Sequence, residues 1–262
     1  MTTRKSDLPE YDNPPVDEVI LGIQFQRLDG FSLAHVGEYW SEVKDRYPRT
    51  EDQPPLITNP VVSVPFLPFP VQVPPNGLFR VWLLSTDDTS LLQIQNDRFL
   101  RNWRRRDEAV YPRFETLFRD FVIDYDQFEG LYGPCQIEQV EVSYINWLPN
   151  QSASEFFRPA SGLTFTSAEI GAGPEAFQWA SRYQCSTTSS GVVGSLSVQC
   201  NTARRQTPFP PSEGTMFNLT FTAPCRAREE VEGLLGLGRD IIVRSFTDLT
   251  SDEAHLTWGR TK

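Results

Sequence analysis

Seven bulky apolar residues, Tyr111, Phe114, Leu117, Phe118, Phe121, Tyr125 and Phe128, recur every three or four positions along one stretch of the chain. On a helix that spacing gathers them into a single stripe, too apolar for the helix to stand alone in water. Such a face has to be covered, and a concave sheet is its natural cover. The spacing predicts a helix from near Asp107 to about Phe128, terminated by Gly130 and Gly133-Pro134. Tyr111-Pro112-Arg113-Phe114-Glu115 reads as its first turn, where the missing proline amide is harmless and Glu115 offsets the dipole.

Strands are therefore expected around it. Residues 18–26, EVILGIQFQ, alternate as a strand does, and Phe31 to Tyr47 follow with a helical stripe of Leu33, Val36, Trp40, Val43 and Tyr47 that Pro48 stops. The proline-dense stretch 53–75 reads as a sheet edge or extended loop, because proline has no amide hydrogen for a central strand. A hairpin is predicted from Leu78–Ser85 and Leu91–Gln95 about the turn Thr86-Asp87-Asp88-Thr89. The second half opens with a strand ending at Trp147, then a short helix at Ser152–Phe157. Strands near 176–187, 192–201 and 215–223 follow, and a helix from about Arg226 to Phe246 closes the pattern. Its glycines, Gly233, Gly236 and Gly238, either cost up to ~1 kcal/mol each or permit close packing on a sheet.

Side by side, residues 1–133 and 134–262 share one plan: strand, helix, antiparallel strands, long helix. The expected fold is α+β, a helix-grip or TBP-like duplication within one pseudo-symmetric unit, with each curved antiparallel sheet covered by its own terminal helix.

Composition narrows the function classes. A net charge of −10 disfavours nonspecific attraction to nucleic acid or anionic membrane. No apolar run approaches membrane-spanning length, and Met1 to Glu10 lack the apolar centre of a secretory signal, so a cytoplasmic protein is expected. The four cysteines, Cys135, Cys185, Cys200 and Cys225, are too dispersed for a zinc site. Cys185 and Cys200 would meet only if a hairpin placed them opposite each other; buried reduced thiols are the plainer expectation.

Three clusters invite a functional reading. Arg98, Arg101, Arg104, Arg105 and Arg106, with Asn102 and Trp103 among them, concentrate cationic groups that can grip phosphate or carboxylate, with a ring on which a base can stack. The plain alternative is pairing with nearby acids such as Asp97, Asp107, Glu108 and Glu115. Should that edge face a partner, changing Arg104, Arg105 and Arg106 together to alanine would abolish binding and leave the melting temperature nearly unchanged. Tyr144 and Asn146 share one face of a strand and Trp147 takes the other; the asparagine is either a ligand group or a satisfied buried amide. His35 and His255 fit no metalloprotease spacing, and His255 is expected to dock a strand-like tail. Ser186–Ser197 holds no G-x-S-x-G elbow, Gly171-Ala172-Gly173-Pro174 lacks the rest of a dinucleotide fingerprint, and a P-loop is absent.

Four segments, YDNPPVDEVILGIQFQ (11–26), LLQIQNDRFLRNWRRRDEAVYPRFE (91–115), VEVSYINWL (140–148) and DIIVRSFTDLTSDEAHLTWGR (240–260), together resemble a sporadically distributed family of uncharacterised bacterial proteins of about 250 residues. The resemblance implies no established activity. Patchy distribution implies carriage on mobile elements or a role in conflict with phages or rivals. The expectation is a non-enzymatic binding or interaction protein without a cofactor, its protein partner encoded nearby. The alternatives are a sensor of a nucleotide or phosphate ligand at the arginine-rich edge, or an unrecognised hydrolase or nuclease.

Overall fold

Alternation of apolar and polar residues does most of the work of building this fold, and the computed structural model shows how. It describes residues 8–56, 79–107, 109–149, 156–158, 178–187, 191–205 and 211–262. Nine strands form one sheet: β1 (Val16–Phe25), β2 (Arg49–Gln53), β3 (Arg80–Leu84), β4 (Ser90–Gln95), β5 (Arg98–Arg104), β6 (Ile137–Pro149), β7 (Gln178–Thr187), β8 (Gly191–Arg205) and β9 (Ser212–Pro224). Their order is β2-β3-β4-β5-β1-β6-β9-β8-β7, and every pairing is antiparallel. The two halves of the chain meet where β1 pairs with β6.

Among the described residues, four helices whose bounds are given accompany the sheet: α1 (Leu33–Val43), α2 (Phe114–Tyr132), α3 (Val231–Leu249) and the short α4 (Asp252–Thr257). Register places Val19, Leu21, Ile23, Phe99, Val140, Val142, Tyr144, Leu219 and Phe221 on one face. The aromatic stripe of α2 packs there, with Phe99 5.3 Å from Phe128 and 6.2 Å from Phe121 between ring centroids. On α3, Gly238 lies so close to the Phe221 ring that an added Cβ would come within 2.5 Å of it, whereas Gly233 and Gly236 have nothing within 4 Å. Close packing is thus the role of one glycine of the three.

Several expectations are corrected. Arg98, Arg101 and Arg104 of the arginine run lie on strand β5, interior between β4 and β1 rather than at a sheet edge, and Arg105 and Arg106 follow its end. Helix α2 starts at Phe114 rather than near Asp107, because Pro112 disfavours helical backbone at Tyr111 and Arg113 adopts φ +72°. It runs past Gly130 to Tyr132 and stops at Gly133, whose φ of +81° suits glycine. On α1, Leu33 is 55% exposed and Tyr39 takes the inward place. Strand β2 was not anticipated; it pairs with β3 in full register. The expected strand-like tail at His255 is helix α4, capped by the Ser251 hydroxyl. Cys185 lies opposite Gly194 and Cys200 opposite Trp179, so they do not face each other, and both are free thiols. The hairpin about Thr86–Thr89 and the strands of the second half stand as expected. Most of the proline-dense stretch, Gly171–Pro174 and most of the Ser152–Phe157 helix lie outside the described residues. Among the described residues no helix is long and apolar enough to cross a membrane.

Candidate binding cleft between the two long helices

Strand alternation divides the arginine cluster. Arg101 and Trp103 point toward the helices, while Arg98, Asn102 and Arg104 project from the opposite face. Arg101, 7% exposed, is held by Asp120 at 3.2 Å and Asp124 at 3.0 Å, both on α2. Arg98 pairs with Asp97 at 3.1 Å. Asn102 donates to Glu18 at 2.6 Å and accepts from Gln93 at 2.9 Å, and Gln93 in turn accepts from Arg80 and from the Trp82 indole. Arg104 lies over the Trp82 ring and donates to the Asp88 carbonyl. Arg105 is committed to backbone, donating to the carbonyls of Val16 and Pro14, and Arg106 donates to the carbonyl of Arg105. As a group these residues hold strands together, and no single surface presents all five guanidinium groups.

Tyr144 and Asn146, by contrast, come together in a cleft on the helix side. Their i, i+2 spacing on β6 puts both on that face, opposite Leu219 and Phe217 of β9. Above them the N-terminal end of α2 and the middle of α3 line the space, and the lead-in segment from Pro9 to Val16 forms the third wall. The cavity measures about 80 Å³. That is room for several waters or a ligand of a handful of heavy atoms.

The cleft is amphipathic. Val16, Phe114, Ile242, Val243 and Phe246 supply apolar walls. Tyr144, 5% exposed, and Asn146, 1% exposed, supply a polar floor together with Tyr111. Tyr111 is steadied by the Trp103 ring, 5.5 Å away, which gives that tryptophan a supporting place behind the cleft. Arg113 and Arg239 stand at the mouth, with exposed Glu10. Arg113 donates to the Tyr11 carbonyl at 3.2 Å. Arg239 caps the Phe114 ring and reaches Glu115 at 3.6 Å and Asp240 at 3.4 Å, both on the solvent side. Pairs of that kind are weak and exchangeable. The first turn of α2 receives no side-chain cap, so its amide donors add partial positive charge nearby.

Hydrogen-bond accounting finds spare capacity on the floor. The Tyr111 and Tyr144 hydroxyls bond each other at 2.9 Å, which uses one of their two protons. The other proton has no acceptor among the described residues. Asn146 donates through Nδ2 to the Phe217 carbonyl at 2.9 Å, and its Oδ1 accepts from no described residue. The second Nδ2 hydrogen is likewise without an acceptor among the described residues, and these groups line the open cleft, where water or a ligand can meet them. Burial pushes the Tyr111 hydroxyl up to about 12 and the Tyr144 hydroxyl well above its ordinary value, so both stay protonated at neutral pH.

Sequence reading found Tyr144 and Asn146 through strand alternation but had no means of finding Arg239, which arrives from a helix nearly a hundred residues later. The nearest available signal was Arg113 beside the proline that delays α2. Among the described residues no group of three His, Cys, Asp or Glu side chains is placed to hold a metal ion. Comparison of the chain with protein-family models, curated proteins and solved structures finds no match in any of the three. The family resemblance therefore rests on its four segments alone.

Proposed function

We propose that this chain is a non-enzymatic binding protein, and that the cleft between α2 and α3 receives a small anionic ligand. The observation that carries the reading is the polar floor of Tyr111, Tyr144 and Asn146, with a hydroxyl proton and an amide hydrogen to spare, beneath two guanidinium groups. The same chemistry supports binding over catalysis. The floor tyrosines keep their protons near neutral pH and so offer no base, and among the described residues the carboxylate that lines the cleft, Glu10, is exposed at its mouth. Buried tyrosine and arginine groups recognise anions without changing protonation state.

The strand order supports the duplicated architecture expected from sequence. From the β1–β6 pair outward, β5, β4 and β3 follow on one side and β9, β8 and β7 on the other, and each half closes with a helix of 19 residues. In that reading the cleft is the seam between the two units, at the pseudo-symmetry axis. A seam of this kind is a common place for a ligand.

Thermal unfolding of the purified chain with acetate, phosphate and adenosine monophosphate tests the binding reading. A ligand at about a hundred times its Kd stabilises the fold by about 2.7 kcal/mol. The expected result is a rise in Tm with at least one anion, lost in Arg239→Ala, while the anion is recovered unchanged after incubation. Conversion of the anion, or no rise with any of them, refutes it.

A further inference from the structure

We infer that His255 makes the third wall of the cleft sensitive to acid: a proton added to its free ring nitrogen loosens the segment from Glu10 to Asn13 from residues 258–261. The loosening is a property of the fold, and its bearing on ligand binding rests on the cleft proposed above.

The wall is a strap held by backbone pairing. Asp12 donates its amide to the Gly259 carbonyl at 3.0 Å and Asn13 to that of Trp258 at 3.1 Å, while Thr261 donates to the Glu10 carbonyl at 2.9 Å. Tyr11 faces Arg260 across this short pairing and lines the cleft itself. Its ring lies 5.6 Å from the His255 ring, and its hydroxyl bonds Thr247 at 2.9 Å.

Hydrogen bonding fixes where His255 carries its hydrogen. Thr250 Oγ1 gives its single proton to the Phe246 carbonyl at 2.6 Å, so toward His255 Nε2, 2.8 Å away, it can only accept. Nε2 therefore carries the hydrogen, and Nδ1 keeps a lone pair that accepts from Arg260 Nη1 at 3.3 Å. A proton added at Nδ1 removes that acceptor and sets a second cation against the guanidinium. Arg158 adds to the repulsion. Among the described residues the carboxylate in reach is Asp252, 3.6 Å from Nδ1, which is 80% exposed and already accepts from Arg158 at 3.0 Å. Asp248 on α3, and Glu10 and Asp12 on the strap, are exposed.

His255 is 3% exposed, and burial, followed by Arg260 and Arg158, holds its pKa below the ordinary 6.5. Asp252 and the Thr247 backbone favour the charged ring without prevailing. Tyr11, Trp258 and Arg260 pack around that ring, so water reaches it when strap and tail move aside. A histidine depressed in the closed form stabilises it fully above the ordinary value, and the contribution is lost as pH falls through the closed-form value. If the closed form took no proton at all, opening would become about thirtyfold more favourable from about pH 7.5 to about pH 5.

Amide hydrogen exchange of the full chain, read by NMR as protection factors, tests this. The amides of Asp12, Asn13 and Thr261 should lose protection about five- to thirtyfold over that window. Their protection should stay well below that of Ile23 and Val142 in the β1–β6 pair, so that the strap opens while the sheet remains folded. In His255→Gln, which cannot titrate there, the loss should stay under about twofold. The His255 ring nitrogens should show the Nε2–H tautomer and titrate below 6.5. Arg260→Ala should move that titration upward, and Arg260 is exposed, so this variant decides the matter even where His255→Gln does not fold. An Nδ1–H tautomer, a titration at or above 6.5, or one unmoved in Arg260→Ala overturns the inference. So does strap exchange that matches the β1–β6 amides, or equal loss of protection in His255→Gln. None of these readings uses a ligand, so a cleft that binds no anion leaves them intact, and the two proposals fail separately.

Discussion

Two buried polar clusters lie on the helix side of the sheet, and they differ in how completely they are satisfied. At Asp124, fully buried on α2, both carboxylate oxygens are taken. Oδ1 accepts from Arg46, and Oδ2 accepts from the Tyr47 hydroxyl at 2.7 Å and Arg101 Nε at 3.0 Å. Even its backbone carbonyl accepts from Tyr39 at 2.9 Å. At Asn146 and the Tyr111–Tyr144 pair, a hydroxyl proton, one Nδ2 hydrogen and the Asn146 Oδ1 are left over beside a cavity. A closed cluster has no capacity left for a ligand, and its work is to fix α1, α2 and β5 against one another. An open one is incomplete until something binds. Reading residue types alone would rank the charged cluster as the functional one, and the accounting reverses that ranking.

The comparison breaks most severely at Asp124. Removing the carboxylate strands Arg101 and the Tyr47 hydroxyl in a buried site, so Asp124→Ala should cost about 3–5 kcal/mol of stability. Urea unfolding measures it. A loss below about 1 kcal/mol would mean the cluster is not closed in solution, and the contrast with the cleft would fail.

The next test separates arginines that hold structure from arginines that bind. Arg105 donates to the carbonyls of Pro14 and Val16 where the chain enters β1, and Arg104 to the carbonyl of Asp88. Replacing Arg104, Arg105 and Arg106 by alanine should therefore destabilise the fold by about 1–3 kcal/mol in total, against the unchanged Tm expected from sequence. Each kcal/mol lowers the Tm of a chain this size by roughly 2–4 °C. Differential scanning calorimetry distinguishes the outcomes, and an unmoved Tm restores the arginine run as a surface feature.

Why the sequence misled there is physical. The 98–106 stretch looks like a charge run because its partners are remote: Glu18, Asp120 and Asp124 neutralise or bond residues of β5 only once β1 and α2 have folded onto it. The stripe from Phe114 to Phe128 was legible because its partners need only be apolar, and any sheet face serves. Tyr144 and Asn146 were legible as a pair because alternation is local. That they border a cavity was not, since its other walls come from Pro9–Val16 and from α3. Helix α2 showed its periodicity plainly but hid its start, because Arg113 takes a positive φ that no residue type there announces.

The smallest expected effect concerns charge on the opposite face of the sheet. Glu141 is partly buried, and burial holds its carboxyl above the ordinary value despite a hydrogen bond from Ser143 and the nearby Arg98 charge. A carboxyl raised in the folded state binds its proton more tightly there than in the unfolded chain. Its contribution to stability is therefore full at low pH and is lost as pH rises through the folded value. Glu141→Gln keeps the acceptor for Ser143 and removes the titration. The variant should be more stable than the parent by about 1 kcal/mol or less near neutral pH. The difference should shrink toward zero as pH falls to about 4, the ordinary glutamate range. Urea unfolding across that window reads both numbers. A difference of the opposite sign would show that Arg98 outweighs burial at Glu141, making this face a second closed cluster of the Asp124 kind.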